Sequence, residues 1–97
     1  MTTIHVEREK TDRGGRYVVT LPGIAEEAEL TWVNAGDGII IADHTYSPDS
    51  MRGKGVASAL VQQLVADARA EGIKIVPLCP FVGAQFASHP EWADLRA

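Results

Sequence analysis

Ninety-seven residues, 45% hydrophobic and 23% charged, suit one domain over residues 1–97 and leave no room for a second core. The net charge of −4 argues against a general nucleic-acid binder, which needs a basic face, and no apolar run approaches the roughly 20 residues of a membrane span. The start, MTTIHVEREK, has neither the apolar core nor the small-residue cleavage site of a signal peptide, and the lone cysteine, Cys79, cannot form an internal disulfide, which favours a reducing, cytoplasmic setting.

In chain order, TIHVERE alternates apolar and polar at Ile4 and Val6 and predicts a half-buried strand. RGGR (13–16) is expected to turn the chain into RYVVTL (16–21), its hairpin partner, and Pro22-Gly23 makes another turn. EAELTWV (27–33) reads as a third strand with Ala28, Leu30 and Trp32 on one face. After the turn-rich NAGDG comes IIIADHTY (39–46), apolar on both faces, as a central strand would be. The clearest element follows. Val56, Leu60, Val61, Leu64, Val65 and Ala68 recur at the spacing of a buried helical stripe, and Gly72 is placed for a left-handed C-terminal cap. IKIVPLC (73–79) supplies a fifth strand, so strand, helix and strand form a βαβ-like crossover. Pro80 and Pro90 each suit a first helical position, which predicts short helices near 80–87 and 90–95. Pro77 cannot donate to a ladder; it marks either a strand end or a place where this strand separates from its neighbour.

Ahead of the main helix stands SPDSMRGKG. Arg52 and Lys54 make a small positive spot on an acidic chain, better suited to a small anion than to a polyanion. A glycine-rich turn feeding a helix exposes unpaired backbone N–H groups with the positive end of the helix dipole behind them, and phosphate is the natural guest. Glycine at 53 and 55 removes side chains that would block a close approach, while Arg52 and Lys54 add charge-assisted contacts. The turn is not a P-loop, lacking the Gly-Lys-Ser/Thr ending, and not the dinucleotide fingerprint, which wants a third glycine where Ser58 stands.

The strand IIIADHTY, the turn RGKGVA and the helix SALVQQLVADARAEG resemble the acetyl-CoA-binding core of the GNAT acetyltransferase superfamily. Arg52, Gly55 and Ala57 fill its Gln/Arg-x-x-Gly-x-Gly/Ala pattern. HTYSPDSMRGKGVASALV, VPLCPFV and SHPEW resemble more narrowly the small, single-domain GNAT-like proteins, over residues 28–95. The resemblance implies a compact α/β fold with a mixed, largely antiparallel sheet and acetyl-CoA as co-substrate. It implies that the backbone of Arg52, Gly53, Lys54, Gly55, Val56, Ala57 and Ser58 cradles the CoA pyrophosphate. The pantetheine arm would lie between the strands of His44 and Cys79, and a main-chain N–H near His44 and Thr45 would polarise the acetyl carbonyl. The chain departs from the larger superfamily in having only KTDRGGR where helices help enclose the acceptor, so its amine acceptor is left open: a small polyamine, a peptide N-terminus, a lysine side chain or an arylamine. It also has no tyrosine beyond Tyr46 to reprotonate the CoA thiolate, and Cys79 is the nearest substitute.

Cys79 is expected in the N-cap region of a short helix, a place that lowers a thiol pKa. It is a candidate either to protonate the departing CoA thiolate or to accept the acetyl group and pass it on; the plain alternative is a small buried apolar residue. His44 is the candidate general base, or else a core histidine satisfied by one hydrogen bond. His89 is read as packing the last helix, and His5 as a surface residue. None of these forms a tight ligand pair, so no metal is expected. Trp32 and Trp92 are read as packing residues. The run Glu26, Glu27, Glu29 is read as a solvated strand edge, or an attraction for a basic acceptor. The alternative to a transferase is a CoA-binding or sensing module with little turnover; a third reading is an interaction domain whose RGKG turn is only a turn.

Overall fold

The computed structural model describes residues 4–97, and Thr3 of the first expected strand lies outside them. Strand β1 (Glu7–Thr11) turns through Asp12 and Arg13 into β2 (Gly14–Val19), with Thr11 paired to Gly14. The Thr11 hydroxyl braces the turn, accepting from the Arg13 N–H at 3.3 Å in the manner of a serine/threonine turn. RGGR makes the turn only in part: Arg13 is its second residue, and both glycines lie in β2. The reason is crowding: a Cβ on Gly15 would stand 2.2 Å from the Glu9 carbonyl oxygen and 2.7 Å from the Trp32 ring. Glycine is there because the indole occupies the space of a side chain.

After the Pro22-Gly23 turn, closed by an Ile24 N–H to Leu21 carbonyl bond of 3.2 Å, β3 (Ala28–Gly36) and β4 (Ile39–Tyr46) form a hairpin. Asp37 and Gly38 take φ of 55° and 73°, the left-handed pair of a type I′ turn, which matches the twist of the flanking strands. The register slips twice within this pair, once at Ala35 beside the turn and once further along. Thr31 faces His44 and Trp32 faces Ala42, so Asp43 is an extra residue, a β-bulge.

A 3₁₀ turn (Asp49–Met51), anchored by the buried Met51, leads to helix α1 (Val56–Glu71). All six residues of the expected stripe are buried, and Gly72 closes the helix at φ 69°. Strand β5 (Lys74–Pro77) then pairs parallel to β4, giving a five-stranded sheet in the order β1-β2-β3-β4-β5. Helix α2 (Pro80–Ser88) and a 3₁₀ helix (Pro90–Leu95) follow. The last residues cover the free edge of β5, where the Ala97 N–H donates to the Ile75 carbonyl at 2.8 Å. No helix of the described residues is long and apolar enough to cross a membrane.

One face of the sheet makes the core. Tyr17, Leu30, Trp32, Ile40, Ala42 and Ile75 pack on Leu60, Val61, Leu64, Val82 and Phe86 of the two helices. The expectation that β4 is covered on both faces is not met. The strand is interior, but Ile39 and Ile41 on its other side are only half-buried. Two residues between β1 and β2 leave no helix to cover that face. It carries charge instead: Arg16 bonds Glu9 at 2.8 Å, Glu29 at 3.0 Å and Glu27 at 3.3 Å. Trp92 packs against Phe86 and stacks on His89 at 3.9 Å, and His5 is exposed, as read from the sequence.

Leu60 is fully buried between helix and sheet. Leu60→Ala is expected to cost about 2–5 kcal/mol of stability by denaturant unfolding; a cost below about 1 kcal/mol would show that α1 is not the main cover of the sheet.

Candidate functional site

The entrance of α1 is formed by two left-handed glycines, Gly53 at φ 76° and Gly55 at φ 75°. Gly55 is the N-cap, no side chain caps the helix, and the first turn holds no acidic residue. The Arg52 and Lys54 N–H groups are taken by the Asp49 and Met51 carbonyls at 3.0 and 3.3 Å. The N–H groups of Gly53, Gly55, Val56, Ala57 and Ser58 have no acceptor among the described residues. They border a cleft of about 270 Å³ between Ser47–Met51, the turn and Phe81. A Cβ on Gly53 or Gly55 would meet nothing within 4 Å, so backbone conformation, rather than crowding within the protein, selects glycine there. Unsatisfied donors at a helix N-terminus, with the dipole behind them, attract an anion.

The two cations of the turn part company. Arg52 lines the cleft and pairs with Asp49 at 3.2 Å; both side chains are solvent-exposed, and such a pair is worth little and easily exchanged. Lys54 does not line the cleft. It borders an apolar groove with Ile4, Leu21, Pro22 and Ile24, so the expected paired contribution of Arg52 and Lys54 to one anion is not what the fold presents.

Cys79, Thr45 and His44 are set by the parting of β4 and β5. The ladder ends where Ala42 faces Pro77. The Cys79 N–H then donates to the Ala42 carbonyl at 2.9 Å, which swings the chain into α2 and leaves residues 43–46 of β4 without a partner on that side. Cys79 is the N-cap of α2. Its Sγ lies 3.5 Å from the Thr45 hydroxyl. Burial pushes the thiol pKa up, but hydrogen bonds from the Thr45 hydroxyl and from the backbone N–H groups of Val82, Phe81 and Thr45 outweigh it and hold the pKa below its ordinary value. This is a thiolate-stabilising pocket on a mostly buried cysteine.

His44 goes elsewhere. The Asp43 bulge reverses the alternation of β4, so that Thr45 pairs with the buried Leu30 while His44 pairs with Thr31 on the open face. The imidazole is exposed and is neither a buried core group nor a neighbour of Cys79 on the helical face. Asp43 is held beside it by the Thr31 hydroxyl at 2.7 Å. No group of three or more His, Cys, Asp or Glu side chains among the described residues is gathered to hold a metal.

Sequence reasoning missed Phe81 as a wall of the cleft and the convergence of Thr45 with the α2 N-terminus on one sulfur. Cys79-Pro80 as N-cap and first residue was a usable signal for the second; nothing local announces the first.

A family model described as GCN5-related N-acetyl-transferase matches residues 16–95 of the chain. No curated protein matches it. Among solved structures, the NMR solution structure of a GCN5-like N-acetyltransferase candidate from Staphylococcus aureus is similar, with a TM-score of 0.71 and 23% identity over 94% of this chain and 87% of that one. At that identity the likeness speaks for the α/β fold with its mostly antiparallel five-stranded sheet.

The thiolate of Cys79 is expected to form at a lower pH than that of a free cysteine in an ultraviolet absorbance titration, and Thr45→Val to move the midpoint upward by removing a donor. A midpoint above the free-cysteine value would overturn this account of the pocket.

Proposed function

The chain belongs to the GCN5-related N-acetyltransferase family, and on that premise we propose that it binds acetyl-CoA and moves the acetyl group to an amine acceptor. The observation that carries the reading is the uncapped entrance of α1. The N–H groups of Gly53, Gly55, Val56, Ala57 and Ser58 stand unpaired beside a cleft, and a diphosphate offers the acceptors and negative charge they lack. Arg52 would leave its exposed partner Asp49 to join them. Lys54 would act through its charge alone, from the neighbouring groove.

The amide-rich pantetheine arm would run along the unpaired edge of β4 at 43–46, as an added strand does. The thioester would then reach the level of the bulge, where a main-chain N–H of His44 or Thr45 would polarise its carbonyl. Cys79, at the N-cap of α2 and beside the parted edge of β4, would act as the nucleophile. The thiolate attacks the thioester carbonyl carbon, a new carbon–sulfur bond forms, and CoA thiolate departs with its electron pair. A neutral amine then attacks the S-acetyl group; the amide forms and the Cys79 thiolate is released. His44, exposed on the open face, would take the proton from an ammonium acceptor arriving on that side, and the proton lost as the amide forms would pass to the departing thiolate. The reading implies a reducing, cytoplasmic setting in which Cys79 stays a free thiol.

A second reading, a CoA-binding or sensing module with little turnover, is favoured by one feature. The turn between β1 and β2 is too short to carry an acceptor-enclosing helix, and the face bearing His44 is open.

Ser58→Asp separates folding from binding. A carboxylate in the first turn of α1 suits the helix dipole yet repels a phosphate, so thermal stability should hold while calorimetric affinity for CoA falls about tenfold or more. Unchanged affinity would move the seat elsewhere. With labelled acetyl-CoA and a mixed amine panel, wild-type protein should carry label on Cys79 and pass it to an amine. Cys79→Ala should keep CoA affinity and lose most of the transfer. Label that never leaves CoA would leave the module reading standing, and full transfer by Cys79→Ala would remove the cysteine from the mechanism.

A further inference from the structure

The open face of the sheet is not uniformly polar around His44. Cross-strand pairing sets its residues out in rows. Glu29 and Tyr46 stand on one side of the Thr31–His44 pair, and Val33, Ile41 and Val76 make an apolar row on the other. With strands about 4.8 Å apart, that row is about 10 Å wide. Val33, Tyr46 and Leu78, at 40%, 47% and 64% exposure, are the large hydrophobic residues left open to solvent among the described residues. The first two lie within one row of His44, and Leu78 follows Pro77 where β5 parts from β4. Exposed apolar side chains gathered in one patch, rather than scattered, mark a place of contact.

The charges of this face are engaged, with one exception. Arg16 takes Glu9, Glu27 and Glu29. Glu7, three strands away from Tyr46, has His5 at 3.5 Å. Lys74, paired with Ile39 at the other end of β4, gives its ammonium to the Asp94 carbonyl. The exposed Asp43 carboxylate accepts from the Thr31 hydroxyl at 2.7 Å, and no cation pairs with it among the described residues. In the chain it lies between His44 and the apolar row, so the bulge that turns the imidazole outward also sets a free carboxylate beside it.

One free carboxylate next to an apolar row suits one positive charge with an apolar body. A polyamine would set its further ammonium groups against Val33, Ile41 and Leu78, where they lose water without gaining a partner. An amino acid would bring its own carboxylate to a face where three carboxylates already share one arginine. We propose that this patch is the acceptor seat and that the acceptor is a primary monoamine with an apolar body the size of a phenylethyl group. Its ammonium lies at Asp43 beside His44, and its body lies on Val33, Ile41, Val76 and Leu78. Asp43 is then a specificity-determining residue. The inference rests on the acyl-transfer reading for the chemistry that follows, but the seat itself needs no coenzyme.

The test is a titration of the full chain, without coenzyme, with phenethylamine, followed in proton–nitrogen NMR spectra. Saturable shifts are expected at the amides of Ile41, Asp43, His44 and Leu78, while those of Gly53 to Ser58 stay still. Butane-1,4-diamine and 3-phenylpropionate should each bind about fivefold more weakly or worse. Asp43→Asn keeps an acceptor for the Thr31 hydroxyl and should weaken phenethylamine about two- to fivefold, as loss of one exposed charge does. Leu78→Ser, another exposed change, should weaken it as well. No saturable shift up to about 100 mM, far above a millimolar Kd, would overturn the proposal, as would equal binding of either control compound. A dimer in sedimentation, with the same signals moving on dilution, would give the face to a second copy and overturn it too. Phenethylamine that binds but is not acetylated when acetyl-CoA is supplied would count against the acyl-transfer reading and leave the amine seat standing, so the two failures are told apart.

Discussion

Pro77 has no amide hydrogen, and the ladder between β4 and β5 stops at it, opposite Ala42. The carbonyl of Ala42 is not wasted: it accepts from Cys79 N–H, two residues further on, and that bond redirects the chain into α2. Placing Cys79 at the N-cap of α2 brings the Phe81 and Val82 amides onto its sulfur. One step along β4, the Asp43 bulge turns Thr45 to the same side. A missing donor and an inserted residue, at one level of the sheet, thus create both an unpaired strand edge and a hydrogen-bonded thiol beside it. Neither device alone would do so. Without the bulge, His44 would face inward and Thr45 out; without the break, β5 would cover the edge.

The α1 entrance illustrates a different compromise. A helix of this length would ordinarily gain about 1 kcal/mol from a capping side chain, and none is supplied. Two left-handed glycines and the buried Met51 shape the turn, and its free amides border the cleft. Stability is forgone at the cap, and the free donors are left bordering the cleft.

The one-sided core has a consequence for the opposite face of the sheet. With both helices on one face, the other is an open sheet, and such a face must be wetted. Arg16 gathers Glu9, Glu27 and Glu29, and the edge strand β1 reads EREKT, a charged edge that discourages strand-to-strand association. His44 shares this open, solvent-facing side of the sheet.

Residue spacing alone determined α1, with each of its six buried positions and its glycine cap, the β4 limits, the face of Ala28, Leu30 and Trp32, and the two C-terminal helices, because burial on a single element follows its own period. The uncapped turn was legible too, since it depends on the absence of side chains within a few residues. What only the tertiary structure decided was the work of neighbours distant in the chain. Trp32 displaces a side chain at Gly15, some 17 residues away, so glycines that look like a turn lie in a strand. A register slip against β3 flips His44 to the open face, and such a slip leaves no mark in the alternation of IIIADHTY. Lys54 and Arg52, two positions apart, diverge because the left-handed glycine between them turns the backbone. Period and capping are local; register, close approach and direction are properties of pairs.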